Sequence, residues 1–171
     1  MTGPADEEER AVAPSRITPT LWFDGRVEEA ADLYVSVFED ARVLRTTPYP
    51  EGAPGPASGV LTVELELAGQ RLVLLNGGPG SPPTEAFSLS VACADQAEVD
   101  RVWEALLAGG GRESQCGWLV DRFGVSWQVV PEGLAELLGD PDPGRARRAT
   151  EAMLGMRRLD LAAMRRAAEE A

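Results

Sequence analysis

The chain has 171 residues, 44% of them hydrophobic and 26% charged, which is enough for one domain with a sizeable core. Its formal net charge of -12 would repel a nucleic-acid backbone, and it has no run of about 18 apolar residues that could cross a membrane. The acidic N-terminus lacks the basic and apolar parts of a secretory signal, so we expect a cytoplasmic protein that binds neither nucleic acid nor membrane.

The first elements are predicted by composition and periodicity. Residues 1–15 are rich in Glu, Ala and Pro and predict a flexible segment, because they cannot bury enough apolar surface to offset the entropy of ordering. The β-branched and aromatic stretch 17–23 predicts a strand that an Asp-Gly turn ends. Apolar residues then recur every three or four positions over 27–38, which indicates a helix with one buried face.

A hairpin is predicted before the middle of the chain. Residues 41–50 predict a weaker strand, and a Pro- and Gly-rich loop follows it up to residue 59. The stretches 60–67 and 70–76 predict two strands around Ala68-Gly69.

The pattern then starts again. Residues 86–93 predict a strand, and Asp95 followed by Glu98 predicts the capped start of a helix that the glycines at 109–111 end. Three more short strands are predicted at 112–116, 117–121 and 124–131. The order strand, helix, strand, strand, strand therefore occurs twice, in modules 16–76 and 86–131 of a single domain 16–131. Two such curved halves would enclose a pocket.

Residues 132–171 predict a C-terminal helical appendage. Its Met and Leu positions favour packing or dimer contact over peptide binding, and its arginine pairs are interleaved with acids, which favours a solvated, salt-bridged face. The two cysteines, Cys93 and Cys116, are too few and too far apart for a disulfide framework, and we interpret them as reduced packing residues.

Three stretches carry a resemblance to a known family: ITPTLWFDGRVEEAADLYVSVF near the start, LNGGP in the middle and CGWLVDRFGVSWQVVP near the end. Together they resemble the PhnB-like branch of the vicinal oxygen chelate (glyoxalase/bleomycin-resistance/dioxygenase) superfamily, which often carries the label 3-demethylubiquinone-9 3-methyltransferase. The resemblance implies an α+β fold in which two βαβββ modules form a cupped mixed sheet. It also implies a homodimer with a small-molecule pocket in each cup.

Metal-dependent members of that superfamily hold a divalent ion with His and Glu, whereas this chain has no histidine. The corresponding positions carry hydroxyls and amides: Thr18 or Thr20 on the first strand, Asn76 at the end of the first module, Ser88 or Ser90 on the fifth strand, and Gln128 in place of the usual glutamate. Neutral oxygens of this kind suit a polar organic ligand better than a dication that must lose its water. We therefore expect no metal and no cofactor.

Side-chain alternation predicts that Gln128 faces the cup and Trp127 faces the opposite layer. Gln128 would contact a ligand or bond to neighbouring backbone, and Trp22 and Trp118 would pack in the core or stack on a ligand. Asp121 is interpreted as a turn residue. The candidate ligand-binding residues are Thr20, Trp22, Asn76, Ser88, Trp118 and Gln128.

The leading hypothesis is a small-molecule binding protein without turnover. The alternative is an enzyme that uses no metal, or one held by carboxylates such as Glu64, Glu66 or Asp121; a dimeric domain whose own side chains fill its cup is a third interpretation. Literal S-adenosylmethionine chemistry is not favoured, because the glycine cluster NGGPG leads into another strand and not into a helix. Cys116 is a poor nucleophile, since no histidine can activate it.

Overall fold

Two four-stranded sheets form the body of the protein, in a computed structural model that describes residues 17–52 and 59–170. The expected flexible segment 1–15 and part of the predicted loop before residue 59 lie outside the described residues. In chain order the elements are β1 (Thr20–Phe23), α1 (Val27–Val37), β2 (Ala41–Pro48), β3 (Val60–Leu67), β4 (Gln70–Asn76), β5 (Ser88–Cys93), α2 (Gln96–Leu107), β6 (Arg112–Glu113), β7 (Trp118–Val120), β8 (Ser126–Pro131), α3 (Leu134–Leu138), α4 (Pro143–Leu154) and α5 (Leu161–Glu169).

The two sheets have the same internal order, β1-β4-β3-β2 in the first and β5-β8-β7-β6 in the second. In each sheet the first strand of the module runs parallel to the last, and the remaining neighbours are antiparallel. The internal repeat and the predicted α+β fold of two βαβββ modules are therefore confirmed. The sixth strand is much shorter than predicted, since only Arg112 and Glu113 pair with β7.

The two module helices begin differently. Helix α2 has the predicted cap, in which Asp95 accepts a hydrogen bond from the backbone N–H of Glu98 at 2.9 Å. The Glu98 carboxylate in turn accepts from the backbone N–H of Ala94 at 2.8 Å. Helix α1 has Arg26 at its N-cap, in the left-handed region at φ 56°, and no side-chain oxygen caps its first turn.

Helix α1 lies against both sheets and joins the modules. Tyr34 is fully buried, and its ring meets that of Trp127 on β8 edge to face, with centroids 5.2 Å apart. The Phe38 ring lies 5.8 Å from the same indole. Trp127 thus faces the helix layer, as the alternation predicted, and Gln128 faces the opposite side of the sheet.

Asp121, which follows β7, is a buried carboxylate at 3% exposure. Its Oδ2 accepts hydrogen bonds from the Tyr34 hydroxyl at 2.7 Å and the Trp127 indole N–H at 2.9 Å. Its Oδ1 accepts from the backbone N–H groups of Phe123 at 2.8 Å and Val125 at 3.0 Å. The residue is in a turn, as expected, and it also fixes the β7–β8 hairpin against α1 of the other module. Burial, followed by the charge of Asp121, raises the pKa of Tyr34 well above its usual value.

The C-terminal helices have an apolar cluster of their own, which includes Leu159 and Met164. The segment between α4 and α5 is tied to the second module by backbone bonds, from the N–H of Cys116 to the carbonyl of Met156 at 2.8 Å and from the N–H of Gly117 to that of Arg157 at 2.7 Å. No helix in the described part of the chain is long and apolar enough to cross a membrane.

Candidate functional site

The side of β5, β8 and β7 that faces away from α1 carries a group of polar and aromatic residues. Register and alternation place their side chains on this same side of the sheet. Its members are Ser88, Ser90, Ser126, Gln128 and Trp118. We call this surface the open face.

Gln128 is at the centre of the open face and is half-buried. Its amide nitrogen donates a hydrogen bond to the Ser88 hydroxyl at 2.9 Å. This partner is a side chain and not the neighbouring backbone; a bond to a ligand stays a prediction. Its Oε1 accepts no hydrogen bond from any described residue. Trp118, directly across β7 from Gln128, is half-buried and presents an aromatic surface beside this free carbonyl oxygen.

Ser126 was not among the candidates, although it is two residues before Gln128 and alternation alone would have placed it on the same face. It is 1% exposed, and its hydroxyl is without a hydrogen-bond partner in the described part of the protein. It lines a cavity of about 180 Å³ between the first strand and the 81–87 loop, together with Thr20, Trp22 and Phe87. A buried hydroxyl with no partner is uncommon in proteins, because it has lost its bonds to water.

Trp22 forms the wall of that cavity and is held in place by the loop after β4. Its indole N–H donates to the carbonyl of Gly78 at 2.7 Å, and the side chain is 37% exposed. The ring lies so close to Gly77 that a Cβ there would be 2.2 Å from Cζ2, which only glycine avoids. Trp22 is thus exposed at the cavity and is not part of the buried core, and its contact with a ligand stays a prediction.

Asn76 is separate from these residues and is engaged with backbone. Its Oδ1 accepts from the N–H of Gly25 at 2.9 Å, and its amide nitrogen donates to the carbonyl of Val60 at 3.2 Å. The hydroxyl of Tyr49 donates a hydrogen bond to the backbone carbonyl of Asn76. Asn76 thus links the end of β4 to the β1–α1 turn and to β3.

The six candidates therefore form two groups and one isolated residue. Ser88, Trp118 and Gln128 are together on the open face, whereas Thr20 and Trp22 line the cavity that Ser126 also reaches. Ser126 is the link between the two groups, because it faces Ser88 across the parallel β5–β8 pair.

The donor set does not fit a divalent transition metal. Within residues 17–52 and 59–170, no group of three or more His, Cys, Asp or Glu side chains could hold an ion. Glu66 pairs with Arg42 at 2.7 Å, and the oxygens of Asp121 already accept four hydrogen bonds. Hydroxyl and amide groups remain on the open face, and these bind organic polar groups better than a dication.

The sequence comparison and the structure comparison both find relatives with the same description. The sequence profile of a family described as 3-demethylubiquinone-9 3-methyltransferase matches residues 15–130. A solved structure from Bacillus cereus, titled a putative 3-demethylubiquinone-9 3-methyltransferase, PhnB protein, is 31% identical, with 68% of this chain and 99% of that chain covered and a TM-score of 0.63.

Two further structures are similar at lower identity. Protein PA1353 from Pseudomonas aeruginosa is 26% identical over 68% of this chain and 96% of that chain, with a TM-score of 0.57. The fosfomycin resistance protein FosX from Mesorhizobium loti is 14% identical over 74% of this chain and 98% of that chain, with a TM-score of 0.53, a likeness of fold alone. Among curated proteins, none matches this sequence.

Proposed function

Because the chain belongs to the 3-demethylubiquinone-9 3-methyltransferase family, and with it to the vicinal oxygen chelate superfamily, we propose that it binds a small polar organic molecule on the open face. The ligand would extend from Gln128 and Trp118 towards the cavity beside Trp22. In this proposal the ligand is held by hydrogen bonds and aromatic contact, without a histidine-ligated metal.

The observation that carries the proposal is the unused hydrogen-bonding capacity of Ser126 and Gln128. Among the described residues, the buried hydroxyl of Ser126 has no hydrogen-bond partner and the Oε1 of Gln128 accepts no hydrogen bond. A ligand with both donor and acceptor groups would satisfy them, while the Trp118 ring offers a flat apolar surface next to them. Such a surface favours a flat molecule with polar edges over a purely apolar one.

We also propose that two copies of the chain associate through the first sheet. Among the described strands, β2 is at the edge of its sheet, and no described strand pairs with the other side of its backbone. It also exposes two large apolar side chains, Val43 at 45% and Leu44 at 36%. Sedimentation velocity should give a dimer mass, and Val43→Lys with Leu44→Lys should give a monomer that keeps its far-ultraviolet circular dichroism. A wild-type monomer at high concentration would contradict this proposal.

The ligand proposal is tested by nuclear magnetic resonance, with a library of neutral and zwitterionic fragments as the probe. We expect the fragments that bind to shift the side-chain amide of Gln128 and the indole N–H of Trp118 in the wild-type protein, and Gln128→Leu to abolish the shift of the Trp118 indole N–H. Gln70→Leu, a matched change at an exposed glutamine on β4, should leave both shifts intact. If no fragment moves these signals in the wild-type protein, or if the shift of the Trp118 indole N–H persists in Gln128→Leu, the open face is not the binding site.

A further inference from the structure

A second cavity, of about 280 Å³, also has Trp22 and residues 81–83 in its lining. It is enclosed by the β1–α1 turn, the loop 78–83 and the β7–β8 turn. We call it the arginine cleft, because Arg26 and Arg122 both line it together with Phe123 and Asp24. Its volume is close to the lower end of ligand pockets, roughly 300–1,000 Å³, so it suits a small molecule.

Arg122 is the unusual residue of the arginine cleft. Among the described arginines, it is the only one that is partly buried and has neither an ion pair nor a hydrogen bond, and its Nε is fully buried without an acceptor. Leaving a guanidinium N–H buried and unpaired costs free energy. Gly109 leaves room beside it, since a Cβ there would be 2.8 Å from Nη1. The cleft therefore contains a cationic donor that no described side chain uses.

Arg122 is the arginine of the cleft without a salt bridge among the described residues, although its charge also acts on Glu29. Arg26 donates to both carboxylate oxygens of Glu29, at 2.9 and 3.2 Å, which neutralises its charge. Asp24 is an exposed acid in the lining and opposes anion binding in part. The guanidinium carbons of Arg26 and Arg122 lie 4.8 and 4.9 Å from the centroid of the Phe123 ring, a distance at which a cation is attracted to the ring.

The first turn of α1 has no side-chain cap among the described residues, and it also carries the acidic side chains of Glu28 and Glu29. The helix begins at Val27, directly after Gly25 and Arg26 of the cleft lining, and its N-cap has no oxygen to satisfy the first backbone N–H groups. Free N–H groups and the helix dipole both favour negative charge at this end of a helix. The other long helices have an aspartate in this position, at Asp95, Asp142 and Asp160.

We propose that the arginine cleft binds an aromatic carboxylate. The carboxylate group pairs with the guanidinium of Arg122, whose planar N–H groups match two carboxylate oxygens. The ring of the ligand lies against Phe123 and Trp22, which supply the apolar walls. This site shares Trp22 and residues 81–83 with the cavity next to the open face, but it uses neither Gln128 nor Ser126 and does not depend on the function proposed for that surface.

The test is a titration with benzoate, with the neutral isostere benzamide as the control ligand, followed by nuclear magnetic resonance. The Nε–H of Arg122 and the indole N–H of Trp22 report on the cleft directly. We expect saturable shifts of both signals with benzoate and binding at least about tenfold weaker with benzamide, because the charged hydrogen bonds are lost. Asp24→Asn should tighten benzoate binding, since it removes the opposing charge.

Arg122→Met should abolish benzoate binding, whereas Arg45→Met, the same change at an exposed arginine on β2, should not affect it. Gln128→Leu and Ser126→Ala should also retain it, because both are on the open face. Equal binding of benzoate and benzamide, unchanged affinity in Arg122→Met, or loss of affinity in Gln128→Leu would each overturn the proposal. If circular dichroism shows that Arg122→Met does not fold, the test uses the wild-type protein alone. A saturable benzoate-induced shift of the Arg122 Nε–H then supports the proposal, and no shift overturns it.

Discussion

The two faces of the β7–β8 hairpin differ in how far their polar groups are hydrogen-bonded within the protein. On the covered face, Asp121 accepts four hydrogen bonds and joins Tyr34 and Trp127 in one network. On the open face, the Ser126 hydroxyl has no partner within the described residues and Gln128 is bonded only through its amide nitrogen. The covered face uses its polar groups to hold the two modules together, whereas the open face keeps its polar groups available.

Asn76 and Gln128 extend the same comparison to the two modules. Both are amides in the last strand of a module, and each was expected to replace a metal ligand. Asn76 bonds to the backbone at Gly25 and Val60, but the Gln128 amide bonds to one hydroxyl and keeps a free oxygen. Neighbouring residues, and not the amide itself, therefore decide which of the two is available to a ligand.

The largest effect should come from the covered face. Asp121→Ala leaves four donors without an acceptor, and we expect the free energy of unfolding to fall by about 3–5 kcal/mol, roughly 1 kcal/mol per donor. Urea denaturation measures the change. Asp32→Ala, at an exposed position of α1, is the matched control and should stay within about 0.5 kcal/mol of wild type. A loss below about 1 kcal/mol in Asp121→Ala would show that the network does not hold the modules together.

A smaller loss should follow from changing Asn76. Asn76→Ala removes two hydrogen bonds to backbone and should cost about 1–3 kcal/mol in urea denaturation. Asn76→Asp keeps the acceptor for the Gly25 N–H but places a carboxylate oxygen against the Val60 carbonyl oxygen, so its cost should be at least as large as that of Asn76→Ala. If Asn76→Ala were as stable as wild type, Asn76 would resemble Gln128 and the contrast between the modules would fail.

The buried Tyr34 hydroxyl gives the covered face a pH dependence. Its pKa in the folded protein is raised above the unfolded value of 10.0, first by burial and then by Asp121. The contribution of the neutral Tyr34 hydroxyl to the free energy of unfolding is therefore fully present below the unfolded pKa. It is lost as the pH rises towards the folded pKa, by up to about 1.4 kcal/mol per pH unit. Tyr34→Phe should show a smaller alkaline loss in urea denaturation than wild type. An identical alkaline loss in both proteins would contradict this.

The smallest effect on stability should come from the open face. Ser126→Ala removes a hydroxyl that has no partner in the described part of the chain, and Gln128→Leu removes one bond to Ser88. Each should therefore change the free energy of unfolding by less than about 1 kcal/mol. Ser126→Ala should leave the melting temperature unchanged or raise it. A marked decrease in Ser126→Ala would mean that this hydroxyl is bonded in the folded protein and is not available to a ligand.

The strands, helices and their order could be predicted from the sequence, because alternation and helical periodicity are local patterns. The orientation of Trp127 and Gln128 followed from the same alternation. The second hydrogen-bonding role of Asp121 could not be predicted, since its partner Tyr34 is 87 positions away in the chain. The bonds of Asn76 to Gly25 and Val60 are likewise non-local and depend on how the strands assemble.

The candidate site was predicted in part, for a similar reason. Residue type and motif position indicated Ser88, Trp118 and Gln128, which the β5–β8–β7 pairing brings together. Ser126 was overlooked because a serine in a strand gives no sign of whether its hydroxyl has a partner. Only the packing of the 81–87 loop over β1 and β8 shows that this hydroxyl is buried in a cavity wall.

We propose that the open face presents amide and hydroxyl groups to an organic ligand and not to a metal ion. The most direct test is metal analysis of the purified protein before and after incubation with excess Zn, Ni, Mn and Fe, with the melting temperature followed in parallel. We predict no stoichiometric metal and no concentration-dependent rise in melting temperature. One ion per chain, with a raised melting temperature that Gln128→Leu abolishes, would contradict the account.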